Sequence, residues 1–86
     1  MAICNNLDHS MLLSNINNLH TTKLGEERVK KNLNIKTCNV INYLKSIIEN
    51  DDAVVYKKGK NYYCYAMNII ITINSYNYCV ITAHVK

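Results

Sequence analysis

Five residues of the chain have the side-chain types for phosphodiester chemistry: His20, Arg28, Lys60, Thr82 and His84. Cleaving RNA without a metal needs a base for the 2′-hydroxyl and an acid for the leaving oxygen. It also needs cations or hydroxyls to hold the phosphate as charge builds. Histidine suits both proton-transfer roles. Arginine grips phosphate bidentately and lysine acts as a point charge. The expected catalytic set is therefore His20, His84, Arg28 and Thr82. The expected nucleic-acid contacts are Lys57, Lys58, Lys60, Tyr63 and Tyr78, because aromatic rings interleaved with lysines can stack unpaired bases.

Each of these residues also has a plain reading. His20 precedes Thr21 and Thr22 and can close a helix; Arg28 can be solvated or paired with Glu27 or Asp52. The lysines suit a solvated turn, Thr82 is a good strand residue, and His84 lies near the end of the chain. Tyr62, Tyr63, Tyr65, Tyr76 and Tyr78 suit half-buried strands as well as bases. Three separated histidines and no acidic pair offer no recognisable metal site, and no cofactor is expected. Strict strand alternation sets Cys79 on the face opposite His84, which argues against a cysteine nucleophile.

The elements that must position these side chains have to come from a short chain. Eighty-six residues allow one domain, expected to span 1–86. A domain of this size buries only about 60% of its unfolded surface, which favours a shallow groove or binding face over an enclosed cavity. Ten Lys and Arg against six Asp and Glu leave a net charge of +4. That balance suits a nucleic-acid partner without requiring one. Cys4, Cys38, Cys64 and Cys79 are widely spaced, with no Cys-x-x-Cys pair, and are expected to be reduced thiols. The opening residues lack a signal-peptide pattern and no apolar run approaches ~20 residues, so a cytoplasmic protein without membrane contact is expected.

Leu7, Met11, Leu12, Ile16 and Leu19 predict an amphipathic helix over about 6–19. Thr21 or Thr22 caps a second helix, with Glu26 and Glu27 in its first turn. Thr37 or Asn39 caps a third, whose stripe is Val40, Ile41, Leu44, Ile47 and Ile48. With no proline in the chain, Gly25 and Gly59 are the main punctuation. The period then changes to two. Strands are expected at 53–56, 62–66, 69–74 and 78–85, with turns at 57–61, Met67-Asn68 and 75–77. Alternation sets Tyr78, Val80, Thr82 and His84 on one face of the last strand, with Cys79, Ile81, Ala83 and Val85 on the other. The fold class is α+β: two to three N-terminal helices (about 6–49) packed on one face of a four-stranded antiparallel β-meander (about 53–85).

Two stretches carry a family likeness. One runs from His20-Thr21-Thr22-Lys23-Leu24-Gly25 to Asn32-Leu33. The other is Lys58-Gly59-Lys60-Asn61-Tyr62-Tyr63, followed by Ile71-Thr72-Ile73-Asn74 and Ile81-Thr82-Ala83-His84. Both resemble an uncharacterised bacterial family, domain-of-unknown-function family 3781. The likeness covers nearly everything from Leu12 onward and departs at Cys79, where a hydroxyl residue is expected. A looser resemblance is to the fold of barnase, EndoU, colicin and RelE-type nucleases. Those proteins run from helices carrying a His and an Arg into a four-stranded meander. That resemblance implies matching roles for His20, Arg28, Lys60, Thr82 and His84.

The expectation that follows is a metal-independent, toxin-type ribonuclease domain, partnered by RNA and by an antitoxin. The alternative is a small non-enzymatic binding protein, such as a phage-encoded, anti-CRISPR-like inhibitor. It would use the same basic, tyrosine-rich face on a protein or nucleoprotein complex. A homodimer is compatible with either.

Overall fold

The computed structural model describes residues 7–36 and 39–85. Cys4, Thr37 and Cys38 lie outside the described residues, as does the side chain of Leu7. Three helices precede a four-stranded antiparallel sheet of order β1-β2-β3-β4. The helices are α1 (Leu7–Ser14), α2 (Lys23–Leu33) and α3 (Val40–Ile48), with a 3₁₀ turn at Ile16–Asn18. The strands are β1 (Val54–Lys58), β2 (Asn61–Ala66), β3 (Ile69–Asn74) and β4 (Val80–Val85).

The first helix stops at Ser14, short of the 19 expected. Asn15 accepts no helical continuation and the backbone tightens into the 3₁₀ turn, closed by the Leu19 amide on Ile16 O. The cap at Thr22 forms as its sequence implies, with the Gly25 amide donating to Thr22 Oγ1 at 3.0 Å. Asn39, rather than Thr37, caps α3 through the Asn42 amide. Asn34 ends α2 in the left-handed region, a conformation asparagine tolerates at a helix end.

Gly25 is not punctuation. It sits buried in the first turn of α2, where a Cβ would run into Thr21 Oγ1 and press on Thr22 Oγ1 at 3.2 Å. Thr21 Oγ1 cannot easily swing clear, because it donates to Val80 O at 3.1 Å and so ties the helix entry to β4. Gly25→Ala is therefore expected to cost about 1–3 kcal/mol, although alanine is the better helix former. A urea melt measures this, and a stabilised variant would mean that the close approach does not exist.

All three helices share one face of the sheet. Leu12, Val29, Leu33, Val40, Leu44, Ile47 and Ile48 form one core with Val55, Tyr62, Cys64, Ala66, Ile69, Ile71, Ile73, Val80 and Ala83. Two side-chain bonds fasten the first turn of α1. Asp8 Oδ2 accepts the Lys57 amide at 2.9 Å, and His9 Nε2 donates to Ile48 O at 2.7 Å.

The strand pairing corrects the expected alternation along β4. Thr72 pairs with Thr82 but Ile73 pairs with Val80, so Ile81 is an extra residue in a β-bulge. The bulge shifts the phase by one. Val80 and Ala83 both turn into the core, while Thr82 and His84 turn away from it. Cys79, before the bulge and alongside Asn74, also lies on the uncovered face. It thus shares a face with His84 after all.

Candidate functional site

Period-two alternation sends every second strand residue away from the helices, and the pairing arranges those residues in rows. One row is Val54, Tyr65, Ile70 and His84; the next is Tyr56, Tyr63, Thr72 and Thr82. The third is Lys58, Asn61 and Asn74, extended by Cys79 because the Asn74 amide donates to Cys79 O. His20 completes that row. It forms a parallel bridge with Cys79, its amide donating to Tyr78 O and its carbonyl accepting from Val80 N at 2.7 Å.

On the β1–β2 side of this open face lies a stack of three tyrosines. Tyr56 lies between Tyr63, at 5.4 Å between ring centres, and Tyr65, at 5.8 Å, both rings nearly parallel to its own. The Tyr56 and Tyr65 hydroxyls lie 3.3 Å apart. That hydrogen bond, then burial, holds the Tyr56 phenol above its ordinary titration range, so the ring is neutral at physiological pH. Thr72 is only 8% exposed although no helix covers it, because it is shielded between its row neighbours Tyr63 and Thr82.

The charge is divided as sharply as the faces. Residues 1–52 hold six cationic and six acidic side chains. Residues 53–86 hold four lysines, Lys57, Lys58, Lys60 and Lys86, and no aspartate or glutamate. The net charge of +4 thus arises entirely from the β half. This division was present in the sequence, but net charge for the whole chain conceals it.

Of the residues singled out from sequence, His20, Lys58, Tyr63, Thr82 and His84 share the open face. Lys60 stands in the turn at its edge, its carbonyl accepting from Ser75 N. The remaining three do not join them. Arg28 is carried on α2, in the helical layer. Lys57 pairs with the buried Tyr62, on the covered side of the sheet. Tyr78 takes a left-handed backbone (φ 59) and stacks on Tyr62 at 6.3 Å, against the core. Burial, then Tyr78, raises the Tyr62 phenol.

The two histidines do not converge. His20 aligns with Asn74 and His84 with Ile70, four residues apart on β3, or ~13 Å at ~3.3 Å per residue. His20 Nδ1 instead donates to Asn18 O at 2.8 Å, closing the preceding turn. Sequence reasoning missed Tyr56 and named Tyr65 only within the wider tyrosine cluster, without singling it out as a contact. Cross-strand register decides which tyrosines meet, and period alone does not contain it.

The described residues enclose no pocket, contain no group of three His, Cys, Asp or Glu able to hold a metal, and include no helix long and apolar enough to cross a membrane. A family model described as a protein of unknown function, DUF3781, matches residues 13–84. No curated protein and no solved structure matches the chain.

Proposed function

The chain belongs to the DUF3781 family, whose description assigns no activity, and from its open sheet face we propose a non-enzymatic module that binds single-stranded nucleic acid. The observation that carries this reading is the three-tyrosine stack on an uncovered sheet, beside a lysine-bearing row and with no carboxylate side chain in the β half. Aromatic rings on a sheet bind bases through their π-faces and tolerate any sequence, while cations track the backbone. Asn61 beside the rings, and Thr82 and His84 on β4 across the same face, add hydrogen-bonding groups for base edges or phosphates. A shallow face suits unpaired bases, whereas a duplex keeps its bases stacked and out of reach.

Binding is favoured over cleavage by the placement of the histidines. An acid and a base acting on one phosphodiester must each lie within hydrogen-bond reach of the reacting atoms. A separation of ~13 Å between backbone positions supports recognition in preference to cleavage by a pair of histidines. Inhibition of a nucleoprotein complex, or pairing with an antitoxin, would be built on the same face.

Fluorescence anisotropy with labelled single-stranded RNA, single-stranded DNA and duplex tests the reading. Single strands are expected to bind and the duplex far more weakly, with the RNA and DNA arms showing which sugar is preferred. Lys58 and Lys60 allow about two phosphate contacts. The expected slope of log affinity against log salt is then about −1.4 for a single strand. Lys58→Glu/Lys60→Glu should flatten that slope and weaken binding more than roughly tenfold. A folded protein that binds neither single strand overturns the proposal, and capture of a protein partner on the tyrosine face would then replace it.

A further inference from the structure

The parallel bridge that brings His20 to the sheet sets it beside Cys79, a pairing that neither residue's sequence position announces. Neighbouring strands lie ~4.8 Å apart and bridge partners point their side chains to the same side, so the thiol and the imidazole leave neighbouring backbone positions on the same, open face. The His20 ring is oriented. Its Nδ1–H donates to Asn18 O at 2.8 Å, so in the neutral ring Nε2 is the basic nitrogen. A nucleophile beside a base, with the base held by a third group, is the arrangement that activates a thiol. The Cys79 thiol is half-buried and donates only a weak bond to Val80 O at 3.8 Å.

We propose that Cys79 is a reactive thiol that exchanges with small-molecule disulfides, with His20 as its base, and that the resulting mixed disulfide regulates the open face. In the exchange, His20 Nε2 takes the thiol proton and the Cys79 sulfur attacks one sulfur of the disulfide. The S–S bond breaks, a new S–S bond forms to Cys79, and the departing thiolate leaves with the proton from His20. One disulfide and one thiol go in, and one mixed disulfide and one thiol come out. The bulky adduct stands in the row of Lys58, Asn61 and Asn74, where it obstructs a nucleic-acid backbone. This regulatory half rests on the function proposed above.

Cys64 is the internal control. It is fully buried in the centre of β2, where burial pushes its thiol up to about 12 and keeps it protonated and inert. The test uses the full chain carrying Cys4→Ser and Cys38→Ser, incubated with glutathione disulfide and followed by intact-mass spectrometry and peptide mapping. One adduct on Cys79 is expected, with none on Cys64 until the protein is unfolded. His20→Ala should slow the reaction on the order of tenfold. The His20 side chain is exposed and its bridge uses only backbone atoms, so the variant should fold, which its melting curve verifies. Equal rates with and without His20, or modification of Cys64 as fast as Cys79, overturn the proposal. The adduct is expected to bind single-stranded RNA more than fivefold more weakly than the unmodified chain. Undiminished binding by the adduct overturns regulation. If the unmodified chain binds no oligonucleotide while Cys79 still reacts with His20's help, the thiol chemistry stands and the nucleic-acid reading falls.

Discussion

Replacing Tyr56 and Tyr63 together with alanine is expected to weaken single-stranded RNA binding by roughly 30-fold or more while leaving the melting curve close to that of the unaltered chain. The two rings stack at 5.4 Å and both project from the uncovered face, opposite partners Val55, Tyr62 and Cys64 that line the core. A base stacked on an aromatic side chain contributes about 1–3 kcal/mol, so removing two rings removes about 2–6 kcal/mol of binding, or roughly 30-fold to well beyond a thousandfold. The fold loses less, because Tyr56 is 38% exposed and its packing partners are other surface rings. Substituting phenylalanine for both separates the two contributions a tyrosine makes. If stacking carries the affinity, the phenylalanine pair should bind within a fewfold of the original. If the Tyr56–Tyr65 hydroxyl contact at 3.3 Å matters instead, it should bind as poorly as the alanine pair. Anisotropy titrations at one fixed salt concentration decide between them. Unchanged affinity in the alanine pair would remove the tyrosine stack from any account of the site.

The helices and strands were legible because their signals are local. The stripe Val40, Leu44, Ile47 and Ile48 became a buried helix face, and the alternation of Tyr62, Cys64 and Ala66 became the inner side of β2. The third strand and the Met67-Asn68 turn fall where the period and the polar break set them, both turn residues adopting positive φ as a two-residue hairpin requires. The site was harder to read because it depends on register. A single extra residue, Ile81, reverses the facing of everything before it in β4. That reversal moves Val80 into the core and brings Cys79 to the open side. His20 joins the sheet through a bridge spanning 59 positions of sequence, which no periodicity encodes. Tyr78 left the face for a comparable reason, since its left-handed backbone returns the ring to Tyr62. Residue type was informative about chemistry, and tertiary pairing chose which residues share it.

The assignment of faces makes its own large prediction, at two adjacent isoleucines. Ile71 lies on the covered side in a row with Val55, Cys64 and Ala83, all of them buried. Its immediate neighbours across the sheet, Cys64 and Ala83, are both small. Ile71→Ala would leave three small side chains in line beneath the helices, with nothing nearby long enough to fill the gap. A change of this kind costs about 2–5 kcal/mol, through lost burial and the residual cavity. At roughly 0.05–0.15 kcal/mol per residue, a domain of this size holds only about 4–13 kcal/mol in total, so the variant should lose a large part of its stability. Ile70, one residue earlier, lies on the open face between Tyr65 and His84 and is only half-buried. Ile70→Ala should therefore cost about 1 kcal/mol. Urea melts of the two variants should show a large fall in midpoint for Ile71→Ala and a small one for Ile70→Ala, at similar slopes. The reverse order would mean that β3 is slipped by one residue, which exchanges the two faces of the strand. Ile71 would then lie on the open side and Thr72 would face the helices, so the rows that join the tyrosines of β1 and β2 to Thr82 and His84 of β4 across one face would be broken. This pair of melts accordingly tests the surface on which the binding reading depends, without any ligand being present.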